Sequence, residues 1–140
     1  MTGYRFSLEG FTDTYKIALP LYQQHYSEMC ERLTKDGFKC SPFNPRLDQY
    51  FEAENRGDLL TFIAWHGTDA VGYMNVYVTN DMHNHDKIAH EDALFILKEH
   101  RNGLGRKFVQ FGLAELQRRG VKRLFVEAVT DLRVAKLWSR

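Results

Sequence analysis

The sequence predicts a single α/β domain with a mixed central sheet flanked by helices. Three observations predict it. The elements read in the order strand, helix, helix, three strands, helix, strand, helix, and such mixed order implies a sheet that is part antiparallel and part parallel. Two strand-forming runs meet at Gly67-Thr68-Asp69, which is a hairpin signature. A buried run, Ala93-Leu94-Phe95-Ile96-Leu97, leads through a glycine-bearing loop into an amphipathic helix.

Each element has a local reason. Tyr4-Arg5-Phe6-Ser7-Leu8 alternates apolar and polar residues and reads as a short strand. Residues 12–32 are helical: Thr12 or Asp13 caps the start, and Ile17, Leu21, Tyr22 and Met29 recur at helical spacing. Pro20 should kink or split this helix. Asp36-Gly37 ends the region. In the loop Ser41-Pro42-Phe43-Asn44-Pro45, Asn44 suits an N-cap and Pro45 a first helical position. A short helix then runs to about Asn55, before the turn Arg56-Gly57-Asp58.

Residues 59–65 and 71–79 form the hairpin, and the second run, VGYMNVYVT, alternates cleanly. Residues 80–86, NDMHNHD, are a polar loop. A strand returns over residues 88–97. Residues 104–119 are an amphipathic helix whose buried side carries Leu104, Phe108, Phe111, Gly112 and Leu116. Gly120 ends it. Leu124-Phe125-Val126 is a further buried strand, and residues 132–140 open a last helix. The strand–helix–strand unit over residues 88–126 should be a right-handed parallel crossover.

The chain has 140 residues, with 44% hydrophobic and 26% charged, so it is long and apolar enough for one core and too apolar for disorder. One domain over residues 1–140 is expected, without repeat or linker. Net charge is +1, so no global field draws the chain to nucleic acid or anionic lipid. No apolar run approaches the roughly 18 residues of a membrane span, and the N-terminus lacks a signal-peptide pattern. A cytoplasmic location follows. Cys30 and Cys40 have no metal-like spacing and read there as free thiols.

The loop His100-Arg101-Asn102-Gly103-Leu104-Gly105 carries the chemistry. Its glycines sit where the chain enters a helix, whose first turn offers free N–H groups and the positive end of the dipole. Residues without side chains let a phosphate approach those amides. Arg101, Arg106 and Lys107 add positive charge. A dinucleotide fingerprint needs a third glycine where Phe108 stands, and a P-loop needs Gly-Lys-Ser/Thr where Gly105-Arg106-Lys107 stands. Glycines that start a helix for packing alone are the plain alternative.

The two-glycine form resembles the acetyl-CoA loop of the GCN5-related N-acetyltransferase (GNAT) superfamily, Arg/Gln-x-x-Gly-x-Gly/Ala. The hairpin before the loop and the strand after Gly120 are similar to that family's order. So is the run from Thr130 to Trp138, against a pattern of roughly Asn-x-x-Ala-x-x-Leu-Tyr. The chain also resembles small members from bacteria and bacteriophages.

The resemblance implies acetyl-CoA as co-substrate and direct attack of an amine, on a small molecule or a protein, at the thioester. It implies pantetheine on the backbone of Phe95, Ile96 and Leu97, and pyrophosphate on the amides of Arg101, Asn102, Gly103, Leu104, Gly105 and Arg106. A glutamate on the preceding strand often acts as base in relatives. Glu91 and Asp92 both lie there, strand alternation turns only one to the cleft, and Glu91 has the closer offset. The alternative is two edge carboxylates in solvent or in a salt bridge. The family's tyrosine acid falls on Trp138, an N–H donor that cannot serve in the same way, and Asp131 stands where asparagine is usual. Tyr73 or Tyr77 could substitute, or be core.

Further expectations are weaker in the residues. His83, His85 and His90 lie close in sequence but lack a recognised metal offset, so no metal is expected and substrate contact is the better functional reading of their loop. Tyr22, Tyr26, Phe43, Tyr50 and Phe51 belong to the region that walls the acceptor site in relatives, or to the core. The chain also looks short by one or two C-terminal strands for the family, and an exposed edge there would favour a homodimer. The rival to an enzyme is a non-catalytic acetyl-CoA-binding or protein-interaction module on the same fold.

Overall fold

The computed structural model describes residues 3–126. The expected last helix, with Asp131 and Trp138, lies outside the described residues. The elements are β1 (Tyr4–Glu9), α1 (Phe11–Lys35), α2 (Leu47–Asn55), β2 (Leu59–His66), β3 (Asp69–Asn80), β4 (Lys87–Ile96), α3 (Leu104–Arg118) and β5 (Arg123–Phe125). The sheet order is β1-β2-β3-β4-β5. The first four strands are antiparallel to their neighbours, and β4 pairs parallel with β5. The mixed sheet of the sequence reading is therefore present, with the crossover through α3 as its parallel step.

Alternation along the strands divides the apolar residues between two cores. Phe62, Met74, Val76, Leu94 and Ile96 pack beneath Leu104, Phe108, Val109 and Leu116 of α3. Leu59, Ile63, Trp65, Tyr73 and Phe95 face Phe11, Ala18, Leu21 and Tyr22 of α1 and Ala53 of α2. Helix α3 approaches β3 closely, because a Cβ at Gly112 would collide with the side chain of Met74.

Four local expectations are corrected. Helix α1 starts at Phe11 with Gly10 as N-cap, not at a Thr12 or Asp13 cap. Its Thr12 N–H donates instead to the Glu54 carboxylate of α2, at 3.0 and 3.2 Å, so the cap comes from a neighbouring helix. Pro20 does not split α1, which runs unbroken to Lys35. Pro20 and Lys16 both lie exposed, where water can take the freed carbonyl. Helix α2 begins at Leu47 behind Arg46, not at Pro45. Residues 41–45 are held elsewhere: Tyr26 Oη donates to the Ser41 carbonyl at 2.5 Å and its ring packs on Phe43.

The fourth correction concerns the cysteines. Cys30 and Cys40 form a disulfide, with Cα atoms 5.7 Å apart, and are not free thiols. The turn at Asp36 and Gly37 reverses the chain so that the end of α1 meets the segment leading to α2. The ten-residue spacing conceals this, because the pairing depends on where α1 stops. No helix among the described residues is long and apolar enough to cross a membrane.

Candidate active site

The loop after β4 enters α3 through Gly103 with no side-chain cap. Gly103 is the N-cap of α3 with φ 92°, a left-handed conformation that disfavours any residue with a Cβ. No side chain caps the helix, so the first-turn amides are not taken by a capping group. Leu104 is fully buried, so this position can offer a ligand only its backbone. Arg106 and Lys107 are exposed beside it.

Arg101 is turned to a different task. Its Nε donates to the Ile96 carbonyl at 2.6 Å and its Nη2 to Glu28 at 2.7 Å. Its guanidinium lies 5.2 Å from the Phe95 ring. The side chain therefore braces the loop against β4 and α1. Burial pushes the Glu28 carboxyl up, but the Arg101 hydrogen bond and charge outweigh this and hold it below its ordinary value. His100 is likewise engaged, with Nδ1 2.7 Å from Tyr4 Oη on β1.

Strand β4 carries two further features. It pairs with β5 only through Ile88, Ala89 and His90. Beyond them its edge has no β5 partner among the described residues. The β3–β4 register also shifts: Asn75 faces Ala93 while Val76 faces Glu91, which leaves Asp92 as the extra residue of a bulge. Glu91 thus lies opposite Val76, a member of the core beneath α3. Asp92 points to the other face, where its carboxylate accepts a hydrogen bond from Tyr50 Oη at 2.7 Å. Of the two carboxylates, it is Asp92 that lines the cleft.

That cleft, about 470 Å³, opens between α1, residues 41–45, α2 and the sheet. Tyr22, Tyr26, Phe43, Tyr50 and Tyr73 give it aromatic walls, with Asp92 and Asn75 on the sheet side. Tyr73 Oη and His25 Nδ1 are 2.6 Å apart, and the His25 ring stacks on Phe95. Burial, reinforced by Arg32, lowers the His25 pKa to about 4, so the ring is neutral. Burial pushes Tyr22 up to about 12, and Tyr73 also rises well above its ordinary value, chiefly through burial. Asp92 is raised as well by burial, against the lowering effect of the Tyr50 hydrogen bond. Tyr22 Oη is buried beside Asn75 but forms no well-made hydrogen bond.

The structure thus gathers some of the expected residues and separates others. Tyr22, Tyr26, Phe43 and Tyr50 wall the cleft, whereas Phe51 packs edge-on against Phe11 and Tyr15. Phe95 lies in the core beneath the cleft, and the Leu97 N–H is engaged with the Val71 carbonyl at 2.8 Å. His83 and His85 do not line the cleft. Their loop is pinned to β5, where Arg123 pairs with Asp81 and Asp86 at 3.1 and 3.2 Å. Among the described residues no group of three or more His, Cys, Asp or Glu side chains is placed to hold a metal ion. His25 is the residue that sequence reasoning missed. Its only signal is a polar ring between Tyr22 and Met29 on the inward stripe of a helix.

The comparisons with known proteins agree with this architecture. The family model described as "Acetyltransferase (GNAT) family" matches residues 10–139. A GCN5-related N-acetyltransferase from Ralstonia eutropha superposes with a TM-score of 0.70 at 16% identity, covering 99% of this chain and 94% of that one. An aminoglycoside acetyltransferase from an uncultured soil metagenomic sample gives 0.68 at 18% identity, covering 97% and 85%. Glucosamine-6-phosphate N-acetyltransferase from Arabidopsis thaliana gives 0.66 at 13% identity, covering 98% and 91%. No curated protein sequence matches. At such identities the superpositions speak for the fold, and the family match speaks for the class: the chain belongs to the acetyltransferase (GNAT) family and is an N-acetyltransferase by class.

Proposed function

We propose that the protein transfers an acetyl group from acetyl-CoA to an amine that enters the aromatic cleft. One observation carries this reading. The bulged stretch of β4 presents Asp92 to the cleft and then leads directly into the cradle at the start of α3. A ligand spanning the two would run along the part of the β4 edge that has no β5 partner among the described residues.

The residues present fit the co-substrate. The amides from Arg101 to Arg106 would hold a pyrophosphate: the left-handed Gly103 and the uncapped helix start favour an anion there, although the Arg101 N–H already donates to the Lys98 carbonyl at 3.3 Å and would have to be shared or released. Backbone groups of Phe95, Ile96 and Leu97 would hold the pantetheine arm, although the Ile96 carbonyl already accepts Arg101 Nε and would have to be shared or released. When bound, acetyl-CoA supplies the acetyl group as an activated thioester.

An amine attacks only in its neutral form, so a group in the cleft must take its proton. We assign this role to Asp92 in preference to Glu91. A carboxylate raised by burial is a stronger base than one in water, and Tyr50 fixes its orientation. Overall, an ammonium and a thioester become an amide, a thiol and one released proton.

Thermal shift with acetyl-CoA, followed by thiol release across a panel of amines, tests the proposal. A shift with turnover is expected. No shift would remove the cofactor reading, and a shift without turnover on any amine would favour a non-catalytic binding module.

A further inference from the structure

The charge and lining of the cleft say more about what it accepts. Among the described residues, Asp92 is the one Asp or Glu that lines it, and no Lys or Arg does. His25 adds no positive charge at neutral pH. The remaining walls are aromatic or apolar, apart from Ser41, Asn44, Asn75 and the hydroxyl groups of the tyrosines. An acceptor carrying phosphate or carboxylate would find no cation to pair with among these lining residues and would face Asp92. A polycation would find a single partner and would bury its other charges unpaired.

A second observation points to the same ligand. Tyr22 is 8% exposed and lines the cleft, and its Oη, beside Asn75, makes no well-made hydrogen bond among the described residues. A buried hydroxyl without a partner is costly unless a ligand completes it. An ammonium group can donate both to Asp92 and to Tyr22 Oη while aromatic faces surround it. The volume, about 470 Å³, suits a small molecule with an apolar body.

We infer that the acceptor is a small monocationic amine on an aromatic or aliphatic body without an anionic group. This inference rests on the acetyl-transfer reading above and narrows its acceptor.

The test uses the full chain and four amines: 2-phenylethylamine, glucosamine 6-phosphate, spermidine and sisomicin. Binding of each is measured by calorimetry without acetyl-CoA, and thiol release is measured with it. The expected result is 2-phenylethylamine bound and turned over with kcat/KM at least about tenfold above the other three. Tyr22→Phe and Phe43→Ala should each weaken its binding by about tenfold and leave the acetyl-CoA Kd unchanged. Phe43 lies on a partly exposed segment, so its variant tests the idea without threatening the core.

Preferred binding or turnover of glucosamine 6-phosphate, spermidine or sisomicin would overturn the inference and leave acetyl transfer standing. If acetyl-CoA does not bind but 2-phenylethylamine does, the cleft assignment stands and the acetyl-transfer reading fails. Unchanged 2-phenylethylamine affinity in both variants would also overturn the inference.

Discussion

The loop after β4, in the proposed reading, would bind through consecutive residues, Arg101 to Arg106, and mostly through backbone. The aromatic cleft draws its groups from α1, residues 41–45, α2, β3 and β4, and uses side chains. Both regions meet on β4. The cradle depends on where one helix begins, whereas the cleft depends on the packing of two helices and a disulfide against the sheet. Damage to the cradle should therefore be local and severe, and damage to the cleft should be graded. The Arg101–Glu28 ion pair ties the loop after β4 to α1, which forms one wall of the cleft.

The largest effect should come from Gly105→Glu, which puts an anionic side chain in the first turn of α3 where an anion is expected. It should abolish the thermal shift with acetyl-CoA and leave calorimetric binding of 2-phenylethylamine intact. If both ligands are lost together, the two regions are not separable as described.

Next comes Asp92→Asn, which should lower kcat by about 10²–10⁴-fold, the usual share of a general base. Its acetyl-CoA Kd should not change, and Glu91→Gln should leave kcat within about twofold, since Glu91 lies on the opposite face. The pH dependence has a definite sign. Burial raises Asp92, so its neutral form favours the folded state. That contribution is full below the unfolded carboxylate value of about 3.9 and is lost as pH rises through the raised folded value. Asp92→Asn stays neutral at every pH, so its Tm at pH 7 should exceed that of the parent while its activity falls. Parent activity should rise with pH as Asp92 deprotonates. A fall in Tm for Asp92→Asn would show that the charged form is stabilised in the fold.

A smaller effect is expected from Cys40→Ser. The bridge closes a short loop and anchors the segment that carries Phe43, so its loss should cost about 2–3 kcal/mol in urea unfolding. The amine KM should rise more than the acetyl-CoA KM, and a dithiol reductant acting on the parent should reproduce the change. Equal effects on both would place the bridge outside the cleft's control.

The smallest effect belongs to Glu28→Gln, which removes one charge from a half-buried pair and should cost about 1 kcal/mol. Glu28 is held below its ordinary pKa, so its contribution is present above the unfolded carboxylate value and is lost as pH falls through the folded one. The acetyl-CoA KM should rise a few-fold, because the loop loses its brace. No change in KM would show that the amides hold their geometry without Arg101.

Most of the fold could be read from the sequence, and the reason is local. The alternation of residues 71–79, the continuous run before Leu97, and the glycines at 103 and 120 each act within a few residues of themselves. The boundaries that failed were set from a distance. Thr12 is capped by Glu54, more than forty residues away, and residues 41–45 are held out of α2 by Tyr26. The cleft was only partly legible. Its aromatics could be named as a group, but separating Tyr50 from Phe51 required knowing which side of α2 faces the sheet.

The choice between Glu91 and Asp92 shows where the division falls. Strand alternation dictates that the two carboxylates point apart, and the sequence alone establishes that much. Which one meets the cleft depends on a one-residue bulge against β3, and a bulge is a property of strand pairing rather than of either strand. The same holds for His25, whose neutrality and partner come from Tyr73, forty-eight residues on. The strands, the crossover and the glycine-bearing start of α3 are legible in the residues alone, because backbone geometry follows from neighbours in the chain. The cleft, the turn of Asp92 into it and the Cys30–Cys40 bridge emerge only on folding, because those require side chains from distant segments to converge.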